Sequence, residues 1–201
     1  EAETARLAEE QAAAAAKLKE KADGEIARVR KTVESSKKYY SAMDFEKALA
    51  VIEKLAPSLS MEEGWVEYQV AREKAVRLAA MHLYLENALR TRPCKISVFG
   101  QGTRISGLAA SGVRVSLGPG ANTIRPWSEI SAAQYLGILR QYLETEKKTA
   151  REKADDCLSM AVFAEEMAGG QIAEQLASRA VAIDPDILEL GTRLLPNVKW
   201  K

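Results

Sequence analysis

Apolar residues recur at steps of three and four along most of this chain, the spacing that gathers them on one face of an α-helix. Over residues 1–36 the recurring positions are Leu18, Ala22, Ile26, Val29 and Val33, set among strong helix formers, and they predict one long amphipathic helix. Its first half, EAETARLAEEQAAAAAKLKEK, carries too little bulky apolar surface to be buried. An arm is therefore expected that projects from the body or pairs with another helix, as a coiled-coil spacer or a dimer contact. Gly24 weakens its middle.

In YYSAMDFEKALAVIEKLAPSLS, Asp44 is placed to cap a short helix with a stripe of Phe45, Leu49, Ile52 and Leu55, and Pro57 ends it. A longer helix follows from about Met61 to Arg92. Trp65, Tyr68, Ala75, Leu78, His82, Leu85 and Leu89 share one of its faces, and Pro93 closes the run.

The period then changes from three and four to two. Ile96, Val98, Ile105, Val113, Val115 and Leu117 alternate with Lys95, Ser97, Arg104, Arg114 and Ser116, and GQG, AASG and GPGAN supply turns between them. This predicts an antiparallel meander of three or four short strands, closed by Ile124 and Trp127, with its apolar side on the helices. Gly100 and Gly102 invite comparison with a dinucleotide cradle. However, Ile105 takes the place of the third glycine, the stretch to Val113 leaves no room for a crossover helix, and Asn122 stands where an acidic residue would be needed. No cofactor is expected.

Helical spacing resumes after the meander. Ser128 is the expected cap of a helix that turns Ile130, Tyr135, Leu136, Leu139 and Leu143 inward, with a break near Thr149 before a stretch reaching Met167. Gly169-Gly170 marks a turn, residues 171–183 another helix, and Asp184-Pro185 the start of a last short one that ends before Pro196. The fold class expected is α+β, predominantly α-helical, with repeat-like helical hairpins and a small antiparallel insert. Residues 1–36 form the arm, 37–93 a helical hairpin and 94–127 the meander, while the hairpins of 128–201 pack with 37–127 as one body.

The segment MAVFAEEMAGGQIAEQLASRAVAIDP resembles a tetratricopeptide-type repeat, with Ala161, Ala173, Ala180 and Pro185 at that family's small-residue and proline positions. Ala164 and Ala177 stand where the family has aromatics. Tyr39 and Ala48 fit an earlier copy, whereas Leu55 and the early Pro57 depart from it. The resemblance implies stacked hairpins that hold a partner segment. Helix pairs flanking a small β unit that ends in a Trp-Ser-Glu helix start also resemble accessory regions of bacterial extracytoplasmic or kinase-linked proteins, which favours an extracytoplasmic setting. The sequence starts at Glu1, not at Met, so an upstream signal peptide, membrane anchor or domain is expected.

Composition narrows the chemistry. A net charge of +1 across 201 residues predicts neither a nucleic-acid nor a membrane partner, and no stretch offers the roughly 18 uninterrupted apolar residues of a membrane span. Cys94 and Cys157 lack metal-ligand or redox spacing and are read as two half-buried thiols. His82 is the one histidine, so it has no second imidazole to complete a metal set, and its apolar stripe reads as core. The adjacent carboxylates Glu9-Glu10, Glu62-Glu63, Asp155-Asp156 and Glu165-Glu166 point about 100° apart on their helices, hence not at one substrate.

The function that absorbs most of these features is a non-catalytic protein-interaction or scaffold region of a larger bacterial protein, with no metal and no catalytic residue. Tyr39, Tyr40, Trp65 and Tyr68 are its candidate partner contacts. A second reading sets Lys95, Arg104, Arg114 and Arg125 on the solvent side of the meander as a stripe for a polyanion or nucleic acid. A third is a hydrolase whose carboxylates come from distant parts of the chain.

Overall fold

The computed structural model describes residues 2–92, 94, 103–118 and 121–200. Helix α1 (Ala2–Ser36) leads through a 3-10 turn (Lys37–Ala42) into α2 (Phe45–Glu53), and a second such turn (Ala56–Ser58) precedes α3 (Glu62–Thr91). Strands β1 (Arg104–Ala109), β2 (Gly112–Gly118) and β3 (Ala121–Pro126) follow. The chain then returns to helix with α4 (Ala132–Leu143), α5 (Ala150–Met167), α6 (Gly170–Ile183) and α7 (Leu188–Leu194). The protein is therefore a predominantly α-helical α+β fold.

At 30 residues, α3 is about 45 Å long. It is the spine of the molecule. Its first half joins α2 and the second half of α1 around a small core of Val29, Ile52, Leu59, Tyr68 and Ala75. Its second half runs through the main core, where Leu78 and Leu85 meet Phe45, Ile105, Val113, Trp127, Tyr135, Leu139 and Phe163. Each fully buried leucine or isoleucine here contributes about 1.5–3 kcal/mol relative to solvent exposure.

Local chemistry sets most helix boundaries. The Lys47 amide donates to the Asp44 carboxylate at 3.3 Å, so Asp44 caps α2 as its position suggests. Gly169 adopts φ +102°, a conformation that strongly favours glycine, where α5 turns back into α6. Three expected boundaries move. Helix α2 stops at Glu53, so Leu55 falls outside it and Pro57 lies in the following 3-10 turn. The cap of α4 is Ser131, not Ser128, because Trp127–Glu129 close a 3-10 turn that buries Trp127 and leaves Ile130 extended. Ser131 then completes a reciprocal capping box with Gln134. Thr149 is no mere break, since it caps α5 in a second such box with Glu152.

The described sheet is three-stranded and antiparallel in the order β1-β2-β3. Since β1 pairs directly with β2, no crossover helix follows position 102. The expected strand around Ile96 and Val98, the glycines Gly100 and Gly102, and Lys95 lie outside the described residues. Ile105, Val113 and Val115 are buried on the helices as the alternation requires. Leu117 and Ile124 are not, at 53% and 54% exposed. The register shifts between Ser116 and Gly118, and Ile124 stands opposite the outward Arg114, so both leave the apolar side.

Candidate functional site

Helix α1 changes environment along its length. From Glu3 to Lys21 every described side chain is exposed, and from Ala22 onward one stripe is covered by the body. Val29 is fully buried, and on either side of it Arg30 pairs with Glu67 at 2.8 Å and the Arg28 guanidinium donates to the Ser58 carbonyl at 3.4 Å.

On the covered stripe sits a carboxylate, Glu25, only 2% exposed. Its oxygens accept from the Ser60 amide at 3.0 and 3.1 Å, from the Ser60 hydroxyl at 2.8 Å and from the Met61 amide at 3.0 Å. Met61 is the N-cap position of α3 and supplies no capping side chain of its own. Glu25 thus caps α3 from another helix, placing negative charge where the amides of the first turn point outward. The Met61 amide above all, with Ser60 beside it, holds this carboxyl below the usual carboxylate range against the opposing effect of burial. Gly64 makes room for it, because a Cβ there would meet Glu25 Oε2 at 2.6 Å and its Cβ at 2.8 Å.

A second titratable group, the half-buried His82, lies in the middle of α3. Phe45, Trp127 and Tyr135 surround its ring at centroid distances of 5.7, 4.8 and 6.0 Å. Its Nδ1 is 3.1 Å from the Tyr135 hydroxyl, and its Nε2 is 3.6 Å from Glu86 Oε1. The tautomer carrying its proton on Nε2 suits both neighbours, with Tyr135 donating to Nδ1. Burial lowers the imidazole pKa to about 4, so the ring is neutral at pH 7. It borders an open cleft of about 400 Å³ that also brings together Asp44, Glu46 and Glu86. Asp44 is engaged by Lys47 at 2.6 Å and Glu86 by Arg90 at 3.6 Å. Next to the cleft, Met43 holds φ +55°, an uncommon conformation for a side chain of its size.

The remaining candidates separate. Tyr40 is buried beside Phe45 in the main core, and Tyr68 is buried in the small one. Tyr39 is half-buried. Of the four aromatic residues only Trp65 shows substantial surface, at 37%, with its ring edge-on to Tyr68 and the exposed Val66 next to it. They do not form one patch.

The cationic stripe also divides. Arg104 stands opposite Ser116, and Arg114 opposite Ile124, on the outer face of the sheet. Arg125 stands opposite the buried Val113, so it starts from the inner face, emerges at the edge of β3 and pairs with Glu129 at 2.8 Å. A shift of one residue separates it from the other two. Both cysteine side chains are buried, not half-buried as expected, and burial pushes the Cys157 thiol up. Among the described residues no cluster of three or more His, Cys, Asp or Glu side chains is placed to hold a metal ion. No helix among them is long and apolar enough to cross a membrane.

Comparison of the chain with family models, curated proteins and solved structures gives no match. Glu25 is the residue that sequence reasoning missed. The one local signal for it is a glycine, Gly64, in the first turn of a long helix, where no reversal of the chain calls for one.

Proposed function

We propose that this chain is a non-catalytic protein-interaction module, a helical body that holds out the first part of α1 for association with protein. The observation that carries this reading is the continuity of one stripe. The body covers it at Val29, Glu25 and Ala22, and the same stripe runs on uncovered through Leu18 and Leu7, which are 57% and 47% exposed. Leucines repeated on one face of a projecting helix are the feature by which helices recognise other helices. Dimerisation through this arm belongs to the same reading.

The C-terminal half supports a scaffold role. Helices α5 and α6 form a hairpin in which Ala161, Ala164, Ala173, Ala177 and Ala180 are all fully buried. Small side chains at these points let the two helices approach closely, the arrangement that the resemblance to tetratricopeptide-type hairpins implies.

Lysine-directed chemical cross-linking, on the purified chain and in an extract of its source cells, tests the reading. Cross-links to other molecules are expected to concentrate on Lys17, Lys19 and Lys21, and to disappear in a Leu7→Asp/Leu18→Asp variant whose thermal unfolding is unchanged. Cross-links confined to the body and indifferent to that variant would contradict it.

A further inference from the structure

The arm has a charge order that selects its partner. From Glu3 to Glu10 three acids stand against the single base Arg6, and from Lys17 to Lys21 three lysines stand against the single acid Glu20. Between them QAAAAA, residues 11–16, is uncharged. We infer that the arm pairs with the arm of a second copy of this chain, side by side and antiparallel, an inference that rests on the association reading above.

The heptad positions carry the orientation. Along the uncovered stripe Leu7 and Ala14 occupy one core position of a coiled-coil heptad, and Gln11 and Leu18 the other. Antiparallel helices bring one core position against the other. Leu7 then meets Leu18 of the second copy and Gln11 meets Ala14, each contact occurring twice by symmetry. In the same register Glu10 on the flank of one copy lies beside Lys17 on the flank of the other, again twice. The opposite flank carries Ala15, which lets the two backbones approach closely. The exposed contact between Arg6 and Glu10 within one helix, at 3.7 Å, is weak enough to yield to this pairing.

A parallel arrangement keeps leucine on leucine but loses the other matches. It would stack Gln11 on Gln11, set the acidic block beside the acidic block and the lysines beside the lysines, and leave Glu10 and Lys17 facing alanine positions. The partner that complements this surface is therefore its own copy, reversed.

Sedimentation equilibrium of the 201-residue chain tests the pairing by charge exchange. Glu10→Lys and Lys17→Glu each turn two attractive contacts into repulsive ones. Each is expected to raise the dimer dissociation constant about tenfold. The doubly exchanged chain rebuilds both contacts with the signs reversed, and is expected to return to within about threefold of the unaltered chain. All four proteins should keep the same far-ultraviolet circular dichroism, since both positions are exposed. A double variant no tighter than the singles would overturn the antiparallel register while leaving the association reading in place. A chain monomeric at every concentration would overturn self-pairing, and cross-links from the arm to other proteins would then show that the association reading survives. Nitroxide labels at position 19 give a second readout. The antiparallel pair sets them about 20 Å apart along the helix axis, whereas a parallel pair brings them level and would overturn the inference.

Discussion

Above and below Ala22, α1 is built from similar residues and obeys different rules. Below it the helix is tied into the body by Val29, by the Arg30–Glu67 pair and by a buried carboxylate whose oxygens all have donors. Above it the same stripe continues with no described side chain covered. A polar group such as Glu25 is stable inside only when its hydrogen bonds are complete, so here it serves architecture. Leucines at Leu7 and Leu18 have no such account within the molecule. The contrast separates the half of the helix that the body covers from the half that it leaves exposed.

The largest expected difference between the halves comes from inserting a charge into each. Val29→Asp should destabilise the body by about 4 kcal/mol or more, because it buries an unpaired carboxylate. Leu18→Asp should change the stability of the monomer by less than about 0.5 kcal/mol and weaken association instead. Urea denaturation followed by circular dichroism measures the first, and sedimentation the second.

Acid should act on the body through His82 first. His82 has a folded pKa of about 4 against about 6.5 unfolded, so the unfolded chain binds the proton first as the pH falls. Its contribution is complete above about pH 6.5 and is lost progressively down to about pH 4, a decline of about 3 kcal/mol. His82→Gln is expected to flatten the stability profile over that window. Glu25 acts lower on the scale. Its folded pKa is depressed, so its stabilisation is present above the ordinary carboxylate pKa and disappears as the pH falls through the lower folded value.

A smaller effect isolates the cap. Gly64→Ala puts a methyl group against Glu25, which must shift and loosen its bonds to Ser60 and Met61, at a cost of about 1–3 kcal/mol despite alanine's better helix propensity. Gly24→Ala, in open space on the same helix as Glu25, should stabilise by about 0.5–1 kcal/mol. Thermal unfolding of the two variants side by side would show opposite signs.

What was legible in the sequence was local. Asp44 and Gly169 bound their elements through rules that span a few residues, and the alternation from Ile105 to Val115 found the buried side of the sheet. Contacts distant in the chain were not legible. Nothing near Glu25 announces that Ser60 and Met61, 35 and 36 positions away, will donate to it. A shift in the β2–β3 register moved Arg125 away from the other cations and turned Leu117 outward. Tyr40 and Tyr68 have the size and chemistry of contact residues, but the helices converge on them and bury them. The exposure of the described side chains of residues 3–21 follows from a local feature, since Leu7 and Leu18 are the bulky apolar residues of that stretch, whereas the covering of residues 22–36 by the body does not.

Amide hydrogen exchange at two protein concentrations about a hundredfold apart would compare the halves of α1 most directly. Amides of residues 22–36 are expected to be protected equally at both concentrations, and those of residues 3–21 to gain protection only at the higher one. Protection of residues 3–21 that is already strong at the lower concentration and unchanged at the higher would contradict that expectation.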